Sequence, residues 1–124
     1  MAQTTQRELL LGMFRDAPAR TVRAAQTLFR EGEGGDAAYV VLSGRLRVER
    51  TDGGGTGVIR EVGRGELVGE LALLTGAPRS AAVRAARDTE LGRLPRERFE
   101  PLLRAHPSLA IEVTRMLAGW LAAP

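Results

Sequence analysis

Two charged residues nine positions apart, Glu70 and Arg79, sit in a setting that suits them to one anion. Gly69 lets a backbone approach a ligand closely. The residues after it open a short helix whose first amides, at Leu71 and Ala72, have no acceptor within the helix and so can face a negative charge. Arg79 can return across the turn Thr75-Gly76-Ala77-Pro78 and set a planar guanidinium against that charge, with the Ser80 hydroxyl and a nearby amide beside it. A bare phosphate would repel Glu70. The conflict disappears if the phosphate belongs to a ribose, because a carboxylate accepting from a sugar hydroxyl is a recurrent device in nucleotide recognition. Gly69-Glu70 with Arg79-Ser80-Ala81 therefore asks for a sugar phosphate with a ribose hydroxyl.

Other chemistries lack their parts. The spacing Gly63, Gly65, Gly69 has neither the long helix nor the βαβ setting of a dinucleotide fingerprint. All 18 basic residues are Arg, so no P-loop lysine exists. His106 is the sole histidine and precedes Pro107, a helix-start context that supports neither a serine triad nor a histidine metal cluster. No Gly-x-Ser-x-Gly nucleophile turn occurs. The absence of Cys removes disulfides and thiolate metal sites and suits a reducing cytoplasm. The expectation is a non-enzymatic, cytoplasmic protein without metal or cofactor. Its formal charge of +3 is spread over arginines interleaved with acids, which predicts no direct nucleic-acid partner. The apolar patch at 9–14 is interrupted by Gly12 and too short for a signal core or a membrane span, which predicts no membrane insertion.

The elements that must position the cassette follow from periodicity. A chain of 124 residues fits one domain, 1–124. At 5–15 the helical spacing of Leu9, Leu10, Met13 and Phe14 predicts an amphipathic helix closed by Pro18. Short β-prone runs follow at 27–29, 39–42, 46–49 and 58–62, separated by turns at 32–36, 43–44 and 52–57, the last read as a hairpin tip. Leu46 and Val48 alternate with Arg45 and Arg47, giving one buried and one wet face. A helix of one or two turns fits 70–74, and strands return at 80–86 and 90–94. A helix at 96–105 presents Phe99, Leu102 and Leu103 on one face, with Pro101 awkward unless near its first turns. A last helix starts at Pro107 and carries a stripe of Leu109, Val113, Met116, Leu117 and Trp120. The fold class is mainly β with flanking helices: an antiparallel β-barrel of jelly-roll (double-stranded β-helix) type over about 21–94, a short cassette helix, and C-terminal helices over about 96–122.

The stretch 65–83 resembles the phosphate-binding cassette of the cyclic-nucleotide-binding family, which includes the catabolite activator protein, kinase regulatory subunits and gated channels. The glycine turn at 32–36 and the run 39–48 resemble that family's early strands, so the likeness covers roughly 27–118. The resemblance implies that Glu70 binds the ribose 2′-hydroxyl, that Arg79 binds the cyclic phosphate, and that Ser80 supports it. The ligand set it implies is Val68, Gly69, Glu70, Leu71, Ala72, Pro78, Arg79, Ser80 and Ala81, with Val68 standing where Phe is more usual. The ligand would be cAMP or cGMP, and the C-terminal helices would close over the base and relay binding to an effector or, through the last helix, to a second copy. Arg115 and Trp120 are candidates for a base lid; for Trp120, packing is favoured because it continues the apolar stripe. The wording of 69–83 and 87–91 most resembles regulatory domains ahead of patatin-like hydrolases related to neuropathy target esterase. The alternative is thus an interaction module, weak or silent toward nucleotides, related to or cut from such a hydrolase.

Overall fold

A computed structural model describes residues 5–15, 19–52 and 55–122. Eight strands are described: β1 (Arg20–Val22), β2 (Thr27–Phe29), β3 (Ala37–Ser43), β4 (Arg45–Asp52), β5 (Gly55–Gly63), β6 (Leu67–Val68), β7 (Ala82–Ala85) and β8 (Thr89–Pro95). The helices are α1 (Gln6–Gly12), α2 (Glu70–Thr75), α3 (Arg96–Ala105) and α4 (Pro107–Ala122).

The strands form two four-stranded antiparallel sheets, in the orders β1-β8-β3-β6 and β2-β7-β4-β5. Pairing is nested: β4 with β5, β3 with β6, β2 with β7 and β1 with β8. One long antiparallel hairpin rolled onto itself produces that order, which is the jelly roll expected from the sequence.

Burial follows the sequence texture. The run Ala37 to Val41 is apolar without alternation because β3 is covered on both faces, and all five residues are buried. Ala37, Tyr39 and Val41 point between the sheets with Leu46, Val48, Val62, Val83 and Leu91. Ala38 and Val40 point the other way, under Leu10, Phe14, Leu73, Phe99, Leu102, Leu109 and Val113 of the helices. Strand β4 has only one covered face, so Leu46 and Val48 are buried while Arg45 and Arg47 are exposed.

Several expected boundaries move. Thr5 caps α1, its hydroxyl accepting from the Glu8 amide at 3.1 Å. Pro18 lies outside the described residues. The hairpin turn assigned to 52–57 is narrower, since pairing continues out to Asp52 opposite Gly55 and places Gly55, Thr56 and Gly57 in β5; residues 53 and 54 are outside the described set. The strand at 80–86 contracts to Ala82–Ala85. Strands β1 and β6 were not foreseen. Pro101 is the sixth residue of α3, past its first turn, on an exposed side of the helix where its ring meets solvent. Of the last stripe, Leu109 and Val113 are buried as expected, and the side chains of Met116, Leu117 and Trp120 lie outside the described residues. No helix among the described residues is long and apolar enough to cross a membrane.

Candidate functional site

Strand β6 is followed by Gly69, whose φ of 83° turns the chain left-handed into α2. A Cβ at that position would stand 2.7 Å from the Arg79 Nη1 and 3.2 Å from the Phe29 ring. Glycine here therefore serves both the backbone turn and a close approach. What approaches is the Arg79 side chain, where the sequence alone suggested a ligand.

Arg79 is buried, at 5% exposure. Its Nη1 donates to the Gly69 carbonyl and its Nη2 to the Ala37 carbonyl, both at 2.7 Å. Its guanidinium carbon lies 4.0 Å from the centre of the Phe29 ring. The third nitrogen, Nε, is buried without a hydrogen-bond partner among the described residues. Burial lowers the pKa of this guanidinium, opposed by the acidic groups of Tyr39, Asp36, Glu33 and Glu70 around it.

Glu70, the first residue of α2, is 4% exposed, and its Oε2 is likewise buried without a hydrogen-bond partner among the described residues. Burial raises its pKa above the ordinary carboxylate value; a bond from its own backbone amide and the charges of Arg60 and Arg79 oppose the rise. A buried polar atom left without a partner costs about 1–3 kcal/mol. Buried ionisable groups of opposite sign on one wall make this the candidate ligand site.

Glu70 and Arg79 line one cavity of about 40 Å³, room for roughly three water molecules. Val68, Gly69, Leu71, Ala72, Ser80 and Ala81 share its wall, so eight of the nine expected cassette residues come together. The ninth, Pro78, is exposed in the turn before Arg79 and does not line it. Arg115 is exposed on α4, 3.8 Å from Glu112, and is not in the cavity wall. The side chain of Trp120 lies outside the described residues.

Phe29, Val48, Arg60 and Val83 complete the wall; the sequence set Val48 on a buried strand face but placed none of the four in the ligand set. Arg60 had a legible signal. It shares strand parity with Val62, which is buried, and pairs with Val48, so it points inward, and its Nη2 donates to the Leu67 carbonyl at 3.0 Å. Phe29 had none, because simple alternation after Leu28 would turn it outward. A register irregularity between Thr27 and Phe29 brings both Leu28 and Phe29 onto the core. Beyond the cavity, Arg96 at the start of α3 donates to the Leu73 carbonyl of α2 at 2.7 Å, tying the cassette to the C-terminal helices. No group of metal-ligating side chains occurs among the described residues.

Comparison with known proteins agrees with this architecture. Lysophospholipase NTE1 of Chaetomium globosum is 44% identical over 99 residues, which is 79% of this chain and 6% of that protein. Lysophospholipase nte1 of Aspergillus oryzae is 46% identical over 99 residues, covering 78% and 6%. The chain thus spans about 6% of the length of the curated relatives it matches. Among solved structures, the catabolite activator protein of Thermus thermophilus superposes with a TM-score of 0.77 at 37% identity, over 94% of this chain and 54% of that one. The regulatory domain of Toxoplasma gondii PKA, crystallised with cAMP, gives a TM-score of 0.67 at 30% identity over 82% and 46%. The model of the cyclic nucleotide-binding domain family matches residues 19–106. That stretch runs from β1 to the end of α3 and holds all eight described strands and the cassette, and on that match the chain belongs to the cyclic nucleotide-binding domain family.

Proposed function

We propose that this domain is a cyclic nucleoside monophosphate sensor. The observation that carries the reading is the pair of buried, oppositely charged side chains in one cavity wall, Glu70 and Arg79, each keeping a polar atom without a hydrogen-bond partner among the described residues. In this reading the Arg79 guanidinium and the amides at the start of α2 hold the cyclic phosphate, the Ser80 hydroxyl supports it, and the Glu70 carboxylate accepts from the ribose 2′-hydroxyl. Val68, Leu71, Ala72 and Ala81 pack against the sugar. The cavity opens to solvent, so the phosphate and sugar sit against the cassette and the base lies toward the mouth. Movement of α2 then reaches α3 through the Arg96 bond to Leu73 and through the shared packing of Leu73 with Phe99 and Leu102. Both cAMP and cGMP are candidate ligands. Structures of the EAL enzyme Bd1971, 28% identical, exist with either one bound.

A second reading has its own observation. The relatives are lysophospholipases of which this chain spans about 6%, so the domain can instead act as an interaction module regulating a lipid hydrolase. Calorimetric titration with cAMP, cGMP and non-cyclic AMP separates the two. The sensor binds one or both cyclic nucleotides and loses about 2–5 kcal/mol in the Arg79→Ala variant, which is about 30- to 5,000-fold in affinity. Full affinity in that variant refutes the proposed site. Silence of the folded wild-type domain toward both cyclic nucleotides favours the interaction module.

A further inference from the structure

An arginine that is to meet an anion must keep its orientation when the anion arrives, and the surroundings of Arg79 show what holds it. Two of its donors are engaged by main-chain carbonyls far apart in sequence, Gly69 between β6 and α2 and Ala37 at the start of β3. Those bonds fix the tips of the guanidinium but leave the Nε side without a hydrogen bond among the described residues. The ring of Phe29 fills that role differently: it lies 4.0 Å from the guanidinium carbon and is the sole aromatic side chain in the cavity wall among the described residues. Ring and cation attract because the π face is electron-rich, and the attraction grows where water is excluded. Space for the arrangement is reserved by the chain itself. A Cβ on Gly35 would stand 2.8 Å from the guanidinium carbon and 2.9 Å from Nε, and one on Gly69 would crowd both Arg79 and the Phe29 ring. Phe29 reaches this place through the register irregularity of β2.

We propose that Phe29 is a positioning residue for the cavity, its ring stacking on Arg79 so that the guanidinium is held in one plane, ready for an anionic ligand. The inference rests on the sensor reading for its effect on ligand affinity, but the clamp itself needs no ligand. An aliphatic side chain at 29 preserves apolar packing and loses the π face. A tyrosine preserves both.

The test is a double-mutant cycle on ligand-free protein: urea unfolding of wild type, Phe29→Leu, Arg79→Gln and the double variant. The clamp predicts that the unfolding constants of the single variants multiply to a larger loss than the double variant shows, by about 3- to 30-fold. Strict additivity overturns it. Should the Arg79 variants fail to fold, the Nε–H resonance of Arg79 in wild type, Phe29→Leu and Phe29→Tyr decides instead. Slow solvent exchange that quickens in Phe29→Leu and not in Phe29→Tyr supports the clamp, and equal exchange in all three refutes it. Titration with cAMP and cGMP then reads the consequence: Phe29→Leu binds about 3- to 30-fold more weakly and Phe29→Tyr within about twofold of wild type. If wild type binds neither nucleotide, the sensor reading fails while the unfolding cycle still decides the clamp. If wild type binds and Phe29→Leu binds equally well, the positioning role fails while the sensor stands.

Discussion

Replacing Glu70 with Gln should move stability and ligand affinity in opposite directions as pH rises. The carboxyl is 4% exposed, and burial lifts its pKa in the folded protein above the ordinary value of 4.5. Below 4.5 the carboxyl is protonated in both folded and unfolded chains, so it contributes nothing against folding. Above 4.5 the unfolded chain ionises first while the folded one resists, and folding loses free energy until the pH passes the raised folded-state value. That loss has a ceiling of about 1.4 kcal/mol for each pH unit of the window. The amide introduced by Glu70→Gln has no such titration, so the stability of the variant minus that of wild type should rise with pH from 4.5 upward and then level off. Any constant offset from the amide beside Arg60 and Arg79 leaves that slope untouched. Urea unfolding of both proteins, without ligand, in steps of about one unit from roughly pH 4 to pH 8 measures it. For ligand the order reverses: accepting from a ribose hydroxyl favours the ionised carboxylate, so wild-type affinity for a cyclic nucleotide should fall as pH drops through the raised pKa. The variant should be weaker at neutral pH by about 1 kcal/mol or more and insensitive to pH through this group. A stability difference flat in pH, or one that declines as pH rises, refutes the argument that burial governs Glu70.

Two further substitutions probe the scaffold. Thr89 is 1% exposed, and its hydroxyl accepts from the Arg45 amide at 3.1 Å and lies 2.7 Å from the Arg87 carbonyl; Thr89→Val keeps the shape, strands these groups, and should lower unfolding free energy by about 1–3 kcal/mol in urea. Ala25 holds a φ of 70° in the exposed turn before β2, so Ala25→Gly should raise stability by about 0.5 kcal/mol, relief of the left-handed strain exceeding the entropy that glycine adds to the unfolded chain; a fall in the urea midpoint would refute that reading.

What was legible in the sequence depended on whether a feature repeats within a few residues. Strand β4 announced itself through Leu46 and Val48 between Arg45 and Arg47, and α3 through Phe99 and Leu102. Strands β1 and β6 span three and two residues, too few for any alternation to register, and exist because Arg20 pairs with Leu91 and Val40 with Leu67. The cassette could be read because side-chain types carry its chemistry: a carboxylate at 70, a guanidinium at 79 and a glycine at 69. The partners of the guanidinium could not. They are the carbonyls of Gly69 and Ala37, groups that every residue possesses, and a phenyl ring turned inward by a one-residue irregularity. A sequence names the donor that will be buried, but its acceptors come from main chain brought together by β3 and β6, and only the rolled pairing of distant strands assembles them. The same asymmetry separates Arg60 from Phe29: the placement of Arg60 follows from the local parity of β5, whereas that of Phe29 required the register of β2 against β7.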